Sequence, residues 1–213
     1  MKLYDYFRSS AAYRLRIGLN LKGVAPERAF VHLRKGEQLA DEYRALNPQG
    51  LVPTLVTDEG DVLTQSLAIL EWLDETVPSP PILPRDPAAR ARVRSLALAV
   101  ACDIHPINNT RVLGYLTGTL GVTDEQKNGW YKYWIDTGFE ALETRLARES
   151  ATGRFCHGDT PTIADICLVP QMANARRVEF DFAPYPTLVR IEAACLALPP
   201  FAAAAPARQP DAE

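Results

Sequence analysis

The sequence predicts a small α/β domain followed by an all-helical one, and three observations carry that expectation. From Met1 to Glu75, strand-like and helical patterns follow in the order strand, helix, strand, helix, strand, strand, helix. From Asp86 onward every patterned stretch is helical and opens on a cap. Between them, Pro78-Ser79-Pro80-Pro81-Ile82-Leu83-Pro84 cannot continue a helix, so the linker falls there, with domains at 1–80 and 86–213.

In chain order, Lys2–Phe7 reads as a strand running into a turn, Arg8-Ser9-Ser10-Ala11-Ala12-Tyr13-Arg14-Leu15-Arg16, that opens a helix. Ala12, Leu15 and Leu19 share a helical face from which Arg14 and Arg16 project differently, and Gly23 stops the helix. Ala29-Phe30-Val31 is a second strand, and 34–46 is polar and irregular with a short helix. Asn47-Pro48-Gln49-Gly50-Leu51-Val52-Pro53 turns into a strand through Val56. Asp58-Glu59-Gly60-Asp61 is a hairpin turn to Val62-Leu63-Thr64, and a helix runs from Ser66 to Glu75. That order is thioredoxin-like, and Pro53 stands where such domains carry a cis-proline, beside backbone groups left for a ligand.

In the second half, Asp86 caps and Pro87 starts a helix expected to reach Leu116 with a kink at Pro106. Thr123-Asp124-Glu125-Gln126 is a capping box opening a helix to Glu149, whose Trp130, Trp134, Phe139, Leu142 and Leu146 read as core. Thr162-Ile163-Ala164-Asp165 is a second capping box, read as a folding signal. A last helix spans Thr187–Leu198, and the Ala/Pro tail after Phe201 is expected to fray.

Composition narrows the function. At 213 residues and 47% hydrophobic, the chain can bury two cores. A net charge of -3 argues against a broad nucleic-acid surface but not against a local basic pocket. Cys102, Cys156, Cys167 and Cys195 are widely spaced without a Cys-x-x-Cys pair, so they read as reduced thiols rather than a metal or redox site. No signal peptide and no apolar stretch of membrane length is read, and the expected location is the cytoplasm.

Four places can carry chemistry. The Arg8-Ser9-Ser10 turn puts hydroxyls, arginines and free helix amides where an anion can bind, although the same residues suit an ordinary N-cap with surface arginines. Gln65-Ser66, at the start of a helix, offers an amide, a hydroxyl and the positive helix end to a carboxylate. Cys102-Asp103-Ile104-His105-Pro106-Ile107-Asn108-Asn109 gathers polar groups around a proline kink. Arg176 and Arg177 point about 100° apart on a late helix, so at most one faces a pocket.

The loop resembles the active-site loop of zeta-class glutathione transferases, Ser-Ser-Cys-x-Trp-Arg-x-Arg-Ile, with Ala11 in place of the cysteine and Tyr13 in place of the tryptophan. The resemblance extends through 47–55, 65–72, 102–109 and 158–169, and covers nearly the whole chain. It implies a glutathione transferase fold and a homodimer with glutathione as cofactor, without metal, nucleic acid or membrane. It further implies glutathione held by Ser9, Gln38, Gln49, Val52, Pro53, Gln65 and Ser66, with Asp103, His105, Asn108 and Asn109 contributing. Catalysis on a small dicarboxylate would use Ser9, Ser10, Arg8, His105 and Arg176, with Arg176 at the open end of the cleft. The family includes maleylpyruvate and maleylacetoacetate isomerases. Loss of the cysteine at Ala11, together with His105 in its string, tilts the expectation toward the former.

Overall fold

A computed structural model describes all residues, Met1–Glu213. They pack as two units, residues 1–83 with 197–213 and residues 84–196. The first contains β1 (Lys2–Asp5), α1 (Ser10–Lys22), β2 (Glu27–Phe30), α2 (Asp41–Leu46), β3 (Thr54–Val56), β4 (Val62–Thr64) and α3 (Ser66–Thr76), in the expected order. The sheet order is β2-β1-β3-β4. β1 runs parallel to β2, with Leu3 opposite Arg28, and antiparallel to β3, with Leu3 opposite Leu55. A parallel pair needs a crossover, which α1 supplies, while the β3–β4 pair closes on a short turn.

Leu3 and Leu55 of the sheet are fully buried, as are Leu15 and Ile17 of α1 and Ile69, Leu70 and Leu73 of α3. Gly18 lets the two helices meet, because a Cβ there would fall 2.1 Å from Leu70 Cδ2. Arg14 and Arg16, which project differently from the apolar face of α1, are buried all the same, at 2% and 3% exposed. At the other end of α1, the buried Lys22 ammonium donates at 2.6 Å each to Asp74 Oδ1, Val77 O and Pro80 O, tying α1 to the end of α3. β1 stops at Asp5 rather than Phe7 because Tyr6 and Phe7 turn into a cluster with Val31, Tyr43 and Val52.

The second unit contains α4 (Pro87–Leu98), α5 (Thr110–Gly118), α6 (Asp124–Arg148), α7 (Ile163–Arg176) and α8 (Pro186–Leu196). The long helix expected from 87 to 116 is broken rather than kinked. α4 widens into a π-helical turn, Ala99–Ile104, closed by His105 N–H donating to Val100 O at 2.9 Å. Pro106 has no N–H to continue the ladder and disfavours helical geometry before it. Both capping boxes form, Thr123 with Gln126 and Thr162 with Asp165. Fully buried Asp165 also accepts Cys156 N–H at 2.8 Å, so it joins the loop before α7 to the helix start. On α6 the buried stripe is Tyr131, Ile135, Phe139, Leu142 and Leu146. Trp130 and Trp134, expected in the core, lie half-buried beside it.

The tail does not fray. Pro199 and Pro200 end the run of α8 and start α9 (Pro199–Ala204), which packs on α1 with Phe201 and Ala204 buried. Residues 197–213 therefore belong to the first unit, and the helical unit stops at Leu196 instead of running to 213. Apolar Phe201 and the polar groups after it supply contacts that composition alone conceals. No helix is long and apolar enough to cross a membrane.

Candidate active site

Ser9 is the N-cap of α1: its Oγ accepts Ala12 N–H at 3.2 Å. That bond uses the oxygen as acceptor, so the hydroxyl proton remains to be donated outward. The N–H groups of Ser10 and Ala11 belong to the first turn, where the helix provides no acceptors. Ser10 itself is 6% exposed, so it offers the mouth its amide more readily than its hydroxyl. Arg8 is half-buried beside them. Burial raises the pKa of Tyr6, and the charge of Arg8 opposes that rise.

The base of this loop is fixed by charge. Asp5, fully buried, accepts from Arg16 Nη1 at 2.8 Å and from Arg28 Nη2. Arg16 also donates to Tyr6 O at 3.3 Å and Phe7 O at 2.9 Å. A buried arginine with several acceptors in its planar fork holds backbone direction as well as charge.

The second wall is the turn before β3. The Val52–Pro53 peptide is cis. Tyr43 Oη donates to Leu51 O at 2.6 Å, and Asn47 Nδ2 donates to Leu51 O at 2.8 Å and Thr54 Oγ1 at 3.0 Å. Gly50 has φ 60°, and a Cβ on it would press to 3.0 Å from Gln38 O. The ladder begins at Thr54, so the main chain of Val52 lies beyond it, while its side chain packs in one cluster with Tyr6 and Phe7. The serine loop and the Val52–Pro53 turn are thereby neighbours.

Gln65 completes this wall. It caps α3 at φ 67°, a region side-chain-bearing residues rarely adopt, and donates from Nε2 to Gln49 Oε1 at 2.9 Å. Ser66 accepts from Arg14 Nη1 at 3.4 Å, which links the starts of α3 and α1. Gln38 is half-buried, with a buried Oε1 that has no protein partner. The first unit thus joins Ser9, Gln49, Val52, Pro53, Gln65 and Ser66 in one connected arrangement. These groups suit a peptide carrying a carboxylate and a thiol: an outward donor at Ser9, exposed main chain at Val52, and a helix start with Gln65 and Ser66.

In the second unit, His105 closes the π-helical turn, half-buried, with Asp103 exposed two residues before it. π-helical turns often mark functional positions. Asn108 and Asn109 have work within the unit: Asn108 Nδ2 donates to Tyr131 O at 3.0 Å, and Asn109 caps α5 through Arg111 N–H at 3.2 Å. Both had been expected to contribute to cofactor binding. A capping oxygen is already occupied as an acceptor, although the Oδ1 of Asn108 is buried without a partner. Arg176 has partners in its own unit: its guanidinium pairs with Glu192 at 2.5 Å and lies 4.5 Å from the centre of the Phe182 ring, while its side chain stays about half exposed. Arg177 donates to Asn174 Oδ1 at 3.1 Å, and its charge opposes the burial that raises the pKa of Tyr131.

Sequence reasoning missed the supports. Tyr43, Asn47, Arg14 and Arg16 hold the walls of the site; Arg14, Arg16 and Asn47 stand inside the resembling stretches but were given no role there, and Tyr43 carries no motif. The signal available was two arginines set among the apolar residues of α1, six and eight residues after Arg8.

A thioredoxin-like unit with a capped serine loop facing a cis-proline turn, followed in the chain by a helical unit, defines a glutathione transferase fold. The comparisons with known proteins agree. The family described as Glutathione S-transferase, N-terminal domain, matches residues 8–76, and its C-terminal domain counterpart matches 129–207. The chain is 53% identical over 211 residues to a maleylpyruvate isomerase of a Ralstonia species, covering 99% of each. A solved maleyl pyruvate isomerase, described as a bacterial zeta-class glutathione S-transferase, superposes with a TM-score of 0.97 at 52% identity over all of both chains. A maleylacetoacetate isomerase from Methylobacterium extorquens AM1, solved with malonate and glutathione, gives 0.97 at 46% identity, again over both whole chains. The protein belongs to the glutathione S-transferase family, in its zeta class.

Proposed function

We propose that the protein is a glutathione-dependent cis-to-trans isomerase of a short keto-diacid, converting maleylpyruvate to fumarylpyruvate, and that it works as a cytoplasmic homodimer. The observation that carries this reading is Ala11. The loop keeps the outward hydroxyl of Ser9 but has no thiol of its own, so the sulfur must come from the bound peptide. When bound, glutathione supplies a nucleophilic sulfur able to add to a conjugated cis double bond and leave again after rotation.

The chain's own residues then have these tasks. Gln65, Ser66 and the amides at the start of α3 hold the γ-glutamyl carboxylate, with Gln49 orienting Gln65. The main chain of Val52 before Pro53 pairs with the cysteinyl part, and Gln38 faces the glycyl end. Asp103, His105, Asn108 and Asn109 act from the helical unit, Asp103 across the dimer. Ser9 Oγ–H, aided by the Ser10 and Ala11 amides, donates to the thiolate and keeps it ionised. A preorganised donor at an anion is worth roughly 3 kcal/mol, about a hundredfold in rate. Arg8 neutralises a carboxylate and the enolate charge, and His105 serves as a further donor to the substrate. The far carboxylate goes to the arginine pair ending α7. Arg177 is the better candidate, because Arg176 would first have to leave Glu192.

Maleylacetoacetate remains the second substrate reading, since the relative solved with glutathione and malonate carries that name. Initial rates on both cis substrates, with and without glutathione, decide between them. Thiol concentration followed through turnover should stay constant. A stoichiometric fall with a stable conjugate would make the protein a general transferase of small electrophiles, and sedimentation showing only monomer would reject the dimer.

A further inference from the structure

Residues 204–213 reach back along the base of the serine loop, all within the first unit. Ala204 O accepts Arg16 Nε at 3.0 Å. Gln209 donates to Ala203 O at 3.0 Å and Ala205 O at 2.9 Å, which folds the segment, and accepts from Arg28 Nη2 at 3.1 Å. Asp211 Oδ2 accepts Phe7 N–H at 2.9 Å, joining positions 204 residues apart.

Phe7 is therefore held at both main-chain groups, its N–H by Asp211 and its C=O by Arg16. Its ring is fixed in the cluster with Tyr6 and Val52. Ser9 follows two residues later with its N–H bonded to Tyr6 O at 3.0 Å, so the peptide that Asp211 holds sits inside the same turn. The other oxygen of Asp211 is buried and has no partner. A carboxylate set at that cost to the fold calls for an explanation beyond stability.

We propose that Asp211 is a positioning residue for the sulfur-activating loop: its charge-assisted bond to Phe7 N–H sets the direction in which Ser9 presents its hydroxyl. The inference rests on the reading of Ser9 as thiolate donor. Gln209, Phe201 and Ala204 anchor the segment independently, so removing the Asp211 carboxylate releases the loop while the segment stays in place.

The test compares Asp211→Ala and Asp211→Asn, alone and with Ser9→Ala, in the full-length protein. The readouts are kcat, KM, the thiolate absorbance titration of bound glutathione, and the urea midpoint. Asp211→Ala should lower kcat about tenfold, with KM for the cis diacid nearly unchanged and the thiol titrating at higher pH. Asp211→Asn keeps an acceptor oxygen and should recover most of the rate. In the Ser9→Ala background, Asp211→Ala should add almost nothing. Wild-type kcat and titration in Asp211→Ala would overturn the proposal, as would losses that add fully to those of Ser9→Ala. A wild-type Ser9→Ala enzyme would overturn the serine reading on its own.

Discussion

Gln65 and Gln49 hold one another across the site, the Nε2 of the first donating to the Oε1 of the second at 2.9 Å, while Gln65 sits at φ 67°. Strain in a polar residue at a ligand edge makes stability and binding separable. Gln65→Gly should relieve about 1 kcal/mol of backbone strain, less the added flexibility of glycine, and so leave the urea midpoint unchanged or raised. The same variant should raise the KM for glutathione at least tenfold through loss of the carboxylate contact. A lower midpoint with unchanged KM would show Gln65 to be a fold residue.

Lys22 gives the opposite case, a charge kept for the fold. Its side chain is wholly buried with three acceptors, among them the nearly buried Asp74. Lys22→Met leaves Asp74 uncompensated, and breaking a buried pair from one side typically costs about 3–5 kcal/mol. Denaturant unfolding should show a loss of that size. Asp74→Asn in the same background should recover part of it.

Arg176 tests the division of labour between adjacent arginines. Burial raises the pKa of Glu192, and the Arg176 charge opposes the rise. A carboxyl raised above its unfolded value contributes stability that is full below that value and is lost as pH climbs through the folded one. Arg176→Ala removes the opposing charge, so its destabilisation should be small near pH 4 and grow toward pH 7, read as Tm against pH. Turnover at a permissive temperature should stay within about twofold of wild type, whereas Arg177→Ala should lower kcat/KM at least tenfold. The reverse outcome would return the substrate role to Arg176.

The thiols give a prediction that needs no variant. Cys102 is exposed, whereas Cys156, Cys167 and Cys195 are buried. Burial, with Asp165 alongside, pushes the thiols of Cys156 and Cys195 well above their ordinary range, so neither forms thiolate at neutral pH. An aromatic disulfide reagent should release one equivalent from native protein and four after unfolding. Activity should survive the first.

Local signals settled most of the fold. Ser9 before α1, Gly23 after it, Asp86-Pro87, and the boxes at Thr123 and Thr162 act within a few residues of themselves, so their consequences are legible in order along the chain. The Val52–Pro53 and Gln65-Ser66 positions were legible as candidates, because turn chemistry and helix starts announce where main-chain groups are left for a ligand; Gln49 entered only with the family resemblance. Tertiary structure alone decided what the charged residues do. Arg16 looks like a solvent-facing position on α1 until Asp5, Phe7 O and Ala204 O surround it, and nothing local to Arg176 announces its pairing with Glu192. A long cationic side chain has several favourable partners, and which one it meets depends on elements far away in sequence. For the same reason the Ala/Pro tail read as loose: the Phe7 N–H that Asp211 accepts lies 204 residues earlier, and no local pattern can report a bond across that separation.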